Sequence, residues 1–205
     1  MIQKDTRSPF MTALAVTAAT ALLPSAAAAA SMATGGRTSQ PIGHYEFCRA
    51  NPDECLRLDD KGPAKLDAAA WKAIRAINLE VNKAVTPMTD LEMHGKDEVW
   101  SYPGAGGDCE DYALEKRRRI AAEAGVSLSN LLMTVVRRAN GEGHAVLTLR
   151  TTEGDFVLDN LNDDVKDWRK AKGYRFLKRQ DSSHSGKWVS IERSDADAPV
   201  TAGAP

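Results

Sequence analysis

The spacing at which apolar residues recur along this chain changes once, and that change limits which folds the chain can adopt. Apolar residues recur at helical spacing from Leu66 to Val85, and a second helix is predicted over Asp108–Ala124. From Leu131 onwards apolar and polar residues alternate instead, as they do in half-buried strands. Helices followed by strands predict an α+β domain in which N-terminal helices pack on an antiparallel sheet.

Glycine and proline separate these elements. The stretch Thr86–Gly107 holds several of both and is predicted to be a loop, while Gly154 marks a turn between two strands. Four runs rich in β-branched and large apolar residues are the predicted strands: Leu131–Arg138, Ala145–Arg150, Phe156–Leu158 and Trp188–Ile191.

The N-terminus has the features of a signal peptide over residues 1–30. Lys4 and Arg7 are positively charged, Phe10–Leu23 is apolar, and Ala26–Ala30 offers several A-x-A cleavage sites. The apolar stretch is short for a membrane span, although an uncleaved anchor is the alternative. We therefore expect an exported, periplasmic protein whose mature chain does not span the membrane.

Composition predicts the domain boundaries and argues against one class of partner. Residues 31–43 are small and polar and are expected to be a flexible N-terminus; residues 44–192 form the domain, and 193–205 a disordered tail. A net charge of −1 argues against a nucleic-acid-binding protein. The basic run Lys116–Arg119 would fan around a helix, so we interpret it as a mostly solvated face.

The chain has three cysteines, so they cannot all pair with one another in disulfides. Cys48 and Cys55 are close enough in sequence to close a small disulfide loop in an oxidising compartment, although the sequence does not show whether they do. Cys109 is then left as an odd thiol, which is either buried, intermolecular or reactive.

The setting of Cys109 favours a reactive thiol. Asp108 is a good N-cap and Asp111 completes a pattern like a capping box, so Cys109 falls in the first helical turn. There the helix dipole favours a thiolate, and free backbone N–H groups face a reacting carbonyl. The glycines Gly106 and Gly107 allow close approach of a substrate. Cys109 is therefore the candidate nucleophile, and its own N–H the candidate oxyanion donor.

The candidate base is His144, which follows a glycine-rich stretch at the start of a strand. The other histidines, His44, His94 and His184, have no comparable setting. Asp159 follows an apolar strand and is the candidate group that orients the imidazole.

The hairpin between His144 and Asp159 tests this pairing. A turn at Thr151–Thr152 would place the two residues directly opposite each other. A turn at Glu153–Gly154 would place Asp159 opposite Thr148, roughly 13 Å along the strand from His144. The glycine favours the second turn, so the sequence leaves the pairing open.

Three acids, Asp108, Glu110 and Asp111, surround Cys109 in sequence and disfavour ionisation of its thiol. A bound cation would remove that effect, and clustered hard oxygen ligands suit Ca²⁺. The alternative is that these acids only complement the helix N-terminus.

Four blocks together resemble the bacterial transglutaminase-like cysteine peptidases, the LapG-like periplasmic proteases. The resemblance runs from about Leu66 to Trp188, and its most specific block is Gly-Asp-Cys-Glu-Asp-Tyr. The loop before that block departs from the family pattern because it lacks an acid common there. The blocks are Trp100-x-x-Pro103, Gly107–Ala113, Gly143–Leu147 and Val157–Asn160.

The resemblance implies a papain/transglutaminase-like fold, a Cys109, His144 and Asp159 triad, and an exported cysteine endopeptidase acting on a periplasmic or cell-surface protein. A protein or peptide substrate and a membrane regulatory receptor are the implied partners. A transglutaminase-like acyl transferase or amidase would use the same triad, and a non-catalytic calcium-binding interaction module is a third hypothesis. The calcium ligands implied are Asp108, Glu110 and Asp111.

Overall fold

A seven-stranded sheet whose neighbouring strands are all antiparallel forms the framework of the domain. The computed structural model describes residues 1–2 and 31–192; the rest of the predicted signal peptide and the predicted tail, 193–205, lie outside the described residues. The main elements are β1 (Thr34–Thr38), α1 (Ile42–Ala50), α2 (Ala68–Ala84), β2 (Thr86–Pro87), α3 (Asp90–His94), β3 (Gly106–Gly107), α4 (Cys109–Ala124), β4 (Leu131–Arg138), β5 (Gly143–Thr151), β6 (Gly154–Asp159), β7 (Asn162–Asp167), β8 (Tyr174–Asp181) and β9 (His184–Ile191).

The strand order is β1-β9-β8-β4-β5-β6-β7, and α2 and α4 pack on one face of this sheet. Alternation along β5 builds both sides of the core. Leu147 and Leu149 belong to the same core cluster as Ile74 of α2 and Ile120 of α4, whereas Val146 belongs to a smaller cluster on the other side. Each aliphatic side chain buried this way contributes about 1.5–3 kcal/mol, which holds the helices on the sheet.

The prediction of a flexible N-terminus over residues 31–43 is wrong. Residues 34–38 form the edge strand β1, which pairs with β9, and α1 already begins at Ile42. Met32 is buried, and its N–H donates a 2.8 Å hydrogen bond to Asp155. Backbone pairing to an open sheet edge needs no particular side chains, so a small, polar segment can form a strand.

The basic run is solvated over only half its length, so that interpretation needs correction. Lys116 and Arg117 are 1% and 2% exposed, because α4 packs against both α2 and strands β4, β5 and β6, and both side chains turn inward. Arg117 donates to Leu131 O and forms an ion pair with Glu54. Arg118 lies on the surface, where it forms an ion pair within the helix.

Three further features bear on the sequence predictions. Cys48 and Cys55 are joined, with Cα atoms 5.5 Å apart, which leaves Cys109 as the free cysteine. The predicted loop Thr86–Gly107 contains α3 and a short parallel pair, β2 with β3. Among residues 1–2 and 31–192, no helix combines the length and the apolar character that a membrane span requires.

Candidate active site

The thiol of Cys109 lies at the first residue of α4, as predicted. Asp108 occupies the N-cap position, but its side chain makes no capping hydrogen bond, and Asp111 instead accepts the N–H of Ser101 at 2.8 Å. The first N–H groups of a helix have no partner within it. A Cβ on Gly107 would lie 2.8 Å from Asp111 Cβ, so the approach to the helix requires glycine there.

Two contacts fix the sulfur. The N–H of Ala145, the residue after His144, donates to Cys109 Sγ at 3.3 Å, and the thiol donates to Glu110 Oε2 at 3.0 Å. Burial raises the pKa of the Cys109 thiol well above its ordinary value, the Glu110 and Asp108 carboxylates raise it further, and only the Ala145 N–H opposes them. The thiol therefore donates to Glu110, and its surroundings disfavour its ionisation.

His144 and Asp159 lie together, with 2.9 Å between His144 Nε2 and Asp159 Oδ1, and both are buried. The register between β5 and β6 differs from both alternatives drawn from the sequence. Thr151 pairs with Gly154, so the turn consists of Thr152 and Glu153. Continuing that register places Asp159 two residues along from His144 on the same face, a diagonal that a long side chain can span.

Three groups hold the carboxylate of Asp159. Besides His144, the hydroxyl of Tyr174 donates to Oδ2 at 2.5 Å and the N–H of Leu161 donates to Oδ1 at 3.0 Å. Burial raises the pKa of Asp159, but these three hydrogen bonds outweigh it, so the pKa lies below its ordinary value. An ionised Asp159 can only accept, so the imidazole proton resides on Nε2 and leaves Nδ1 free to take a proton.

Tyr174 is a site residue that sequence reasoning missed. Its ring lies 5.6 Å from the imidazole of His144, between centroids, in addition to its bond to Asp159. Tyr174 begins β8, a strand that was not predicted because it is rich in charged residues. A lone tyrosine after Gly173 carries no motif, so no sequence signal marked it.

The predicted calcium ligands are brought together only in part. Carboxylate oxygens of Asp108 and Glu110 lie with one of Asp90, the first residue of α3, within 4.8 Å of one another. Asp111 stands outside this cluster, which we call the acid cluster (Asp90, Asp108, Glu110). Its Oδ1 accepts from Ser101, while its Oδ2 is buried with no hydrogen-bond partner among the described residues. Asp90 was missed because it falls in a stretch predicted to be a loop.

The acid cluster is electrostatically strained. Burial, together with the carboxylate of Asp90, raises the pKa of Asp108 to about 6. Burial, together with Asp108, raises the pKa of Glu110 to about 8. Asp90 Oδ1 and Asp108 Oδ1 are buried and have no hydrogen-bond partner among the residues described. Three carboxylates this close favour protonation or a bound cation.

Two solved structures of LapG share the fold of this chain. Calcium-bound LapG from Legionella pneumophila has a similar structure, with 20% identity, a TM-score of 0.51, and coverage of 77% of this chain and 86% of that one. EGTA-treated LapG from the same organism is 22% identical, with a TM-score of 0.51 and coverage of 76% of this chain and 82% of that one. These likenesses confirm the predicted α+β, transglutaminase-like fold.

No curated protein matches the chain. The sequence model of the family described as bacterial transglutaminase-like cysteine proteinase BTLCP matches residues 34–196, a span that contains Cys109, His144 and Asp159. The match thus covers most of the domain and confirms the predicted family. The chain belongs to the bacterial transglutaminase-like cysteine proteinases.

Proposed function

We propose that this protein is an exported cysteine endopeptidase that hydrolyses a periplasmic or cell-surface protein through Cys109, His144 and Asp159. The observation that carries the proposal is the hydrogen bond from Ala145 N–H to Cys109 Sγ, because it brings the thiol beside His144. The 2.9 Å bond between His144 and Asp159 supports the same reading. A thiol, a base and an orienting acid are the set that acyl transfer requires.

The proposed reaction proceeds in two steps. Cys109 Sγ attacks the peptide carbonyl carbon and forms a C–S bond while His144 Nδ1 takes the thiol proton. The C–N bond then breaks, and the imidazolium returns that proton to the departing amine. Water hydrolyses the thioester and regenerates the thiol. The N–H of Cys109, at the first turn of α4, would stabilise the oxyanion.

Tyr174 lines two cavities that offer room for a peptide. One of about 290 Å³ includes Asp159 and Leu161 in its lining, and one of about 370 Å³ includes Arg138 and Lys172. Leu161 is 53% exposed at the edge of the first cavity, beside the orienting acid. We propose that the substrate chain passes here.

We further propose that Asp90, Asp108 and Glu110 hold a calcium ion. The fit rests on this chain's own donors: hard carboxylate oxygens within 4.8 Å of one another, two of them buried and unpartnered in the described structure. Bound calcium would offset the charge of these carboxylates, which otherwise opposes ionisation of Cys109. Asp111 would support the site from outside by fixing the Ser101 backbone.

The test combines cleavage and thiol reactivity. The mature protein is incubated with a peptide library, with calcium or with a chelator, and new N-termini are identified by mass spectrometry. Because Cys48 and Cys55 are bridged, iodoacetamide alkylation of the native protein reports Cys109 alone. Cys109→Ala should abolish cleavage while leaving the fold intact. His144→Ala should slow both reactions, and His184→Ala, a histidine on β9, serves as its control.

Each result has a distinct meaning. Full cleavage by Cys109→Ala would overturn the assignment of the nucleophile. Incorporation of a labelled amine without new N-termini would indicate acyl transfer instead. Alkylation no faster than that of an ordinary thiol, and unaffected by calcium, would favour a non-catalytic module.

A further inference from the structure

The residues just before β1 pack into the domain. Met32 is 3% exposed and lies in the smaller core cluster, which also contains Val157 and Ile191. Ala33 O accepts the N–H of Glu192 at 2.9 Å, which extends the pairing of β1 with β9. The position of Met32 is therefore fixed both by its buried side chain and by the backbone that follows it.

A buried carboxylate receives this segment. Asp155, on β6, is 1% exposed, and its Oδ2 accepts the N–H of Met32 at 2.8 Å. Its Oδ1 is buried and has no hydrogen-bond partner among the described residues. A buried carboxylate held by one neutral donor is unfavourable, because an ionised carboxylate can accept several hydrogen bonds and needs a compensating charge. Asp155 therefore has the capacity for a second, charged donor.

The nearby cations do not supply that donor. Arg150 pairs with Asp155 in the ladder of β5 and β6, but its guanidinium donates to Asp60 Oδ2 at 3.0 Å. Arg179 is 8% exposed, and its own Nε and Nη1 have no partner among the residues described. Burial raises the pKa of Asp155, and the Met32 N–H and the charges of the two arginines only partly oppose this effect. A positively charged donor in direct contact is what Asp155 lacks.

The sequence can provide such a donor one residue before Met32. The A-x-A patterns within Ala26–Ala30 allow signal-peptide cleavage after each of the last three alanines. Cleavage after Ala30 would make Ser31 the first residue. Its α-ammonium group would then lie within about 4 Å of the Met32 nitrogen, since consecutive Cα atoms are about 3.8 Å apart. Cleavage after an earlier alanine would leave the ammonium group one or two residues further from Asp155.

We propose that the Ala30–Ser31 bond is the processing site of this chain, and that Asp155 is the receptor for the α-ammonium group that processing creates. The ammonium group donates to Asp155 Oδ1, while the Met32 N–H keeps its bond to Oδ2. The domain then reaches its full stability only after the signal peptide is removed. This inference rests on the proposed export and not on the proposed peptidase activity.

The processing step is a hydrolysis by a signal peptidase of the exporting membrane. The C–N bond between Ala30 and Ser31 breaks, a hydroxyl from water joins the Ala30 carbonyl carbon, and the remaining hydrogen joins the Ser31 nitrogen. The carboxylic acid so formed loses its proton, and the amine takes one up to become the ammonium group.

Two measurements test the proposal. The first is the N-terminal sequence of the protein recovered from the periplasm, which should begin at Ser31. The second compares the melting temperatures of chains that begin at Ser31 and at Ala29, both with Cys109→Ala so that no free thiol is present. Periodate converts the amino alcohol of an N-terminal serine to an aldehyde and so removes the ammonium group. The chain that begins at Ala29 lacks that amino alcohol and controls for any other oxidation.

The chain that begins at Ser31 should melt roughly 3–12 °C above the chain that begins at Ala29, the range for one buried, charged hydrogen bond in a protein of this size. Periodate should abolish that difference. Asp155→Asn should abolish it too, because a neutral amide does not compensate the ammonium charge. Asp164→Asn, which changes an exposed acid on β7, should preserve it.

Equal melting temperatures of the two chains, or a difference that survives periodate, would overturn the pairing with Asp155 and leave the proposed export intact. A recovered protein whose first residue is not Ser31 would overturn the processing site. Should Asp155→Asn fail to fold, the periodate experiment decides instead. Absence of peptide cleavage by the wild type would refute the proposed peptidase function alone, since none of these measurements uses activity.

Discussion

Replacing Tyr174 by phenylalanine removes one hydroxyl from the candidate active site and leaves the ring beside His144. That hydroxyl donates to Asp159 Oδ2, and Asp159 is 5% exposed, so water does not readily replace the lost bond. A hydrogen bond to a buried charged group is worth about 1.5–3 kcal/mol. In a chain of this size each kcal/mol corresponds to about 2–4 °C, so the melting temperature should fall by roughly 3–12 °C.

The pH dependence of this loss has a definite sign. The hydrogen bonds lower the pKa of Asp159 below its ordinary 3.8, so they stabilise the fold above that pH and cease to do so as the pH falls through the folded-state pKa. The free-energy gap between wild type and Tyr174→Phe should therefore be constant near neutral pH. It should narrow once the pH falls below 3.8.

Denaturant unfolding at several pH values, together with peptide cleavage, measures both effects. Tyr112→Phe is the matched control, because it removes a buried hydroxyl bonded to a neutral acceptor, Val85 O. It should lower stability without a pH-dependent gap and leave kcat unchanged. Tyr174→Phe should lower kcat roughly 10-fold, in the range for groups that orient a working side chain. An equal gap at pH 3 and pH 7, or an unchanged kcat, would refute the reasoning about Asp159.

Two further predictions follow from the calcium site and the disulfide. Calcium should raise the melting temperature in scanning fluorimetry, since a ligand of the folded state stabilises it. Asp90→Asn should lose most of that increase, whereas Asp97→Asn, which changes an exposed acid of the same region, should keep it. Equal increases in both variants would contradict the assignment of Asp90 as a ligand. Replacing Cys48 and Cys55 by alanine should destabilise the fold by about 2 kcal/mol for a sequence separation of 7. The alkylation rate of Cys109 should not change. A changed rate would show that the disulfide loop shapes the candidate active site.

The residues that form one local pattern were predictable. Leu131–Arg138 was delimited correctly as a strand, and Cys109 was placed correctly at a helix start, because strong periodicity and flanking glycines dominate both segments. Strand β7 was missed: Asn162–Asp167 is an edge strand rich in charge, where backbone pairing rather than side-chain pattern decides.

The contacts between distant segments were not predictable in the same way. Asp90 joins Asp108 only because α3 folds back along the loop before α4, and nothing in the sequence marks that path. The sequence leaves the register of β5 against β6 open because a glycine near a turn does not fix which residues occupy the turn. Tyr174 reaches Asp159 from a third strand, which no spacing argument could supply.

The two-residue turn of Thr152 and Glu153 limits which insertions and deletions the hairpin between β5 and β6 can tolerate. With only two residues between the paired Thr151 and Gly154, β6 cannot slide along β5 without changing which side chains share a face. A slip of one residue would turn the carboxyl of Asp159 to the opposite side of the sheet, while Cys109 and the acid cluster stayed unchanged. Insertions and deletions in this remote hairpin would therefore separate Asp159 from His144, a change that a survey confined to the neighbourhood of the thiol would overlook.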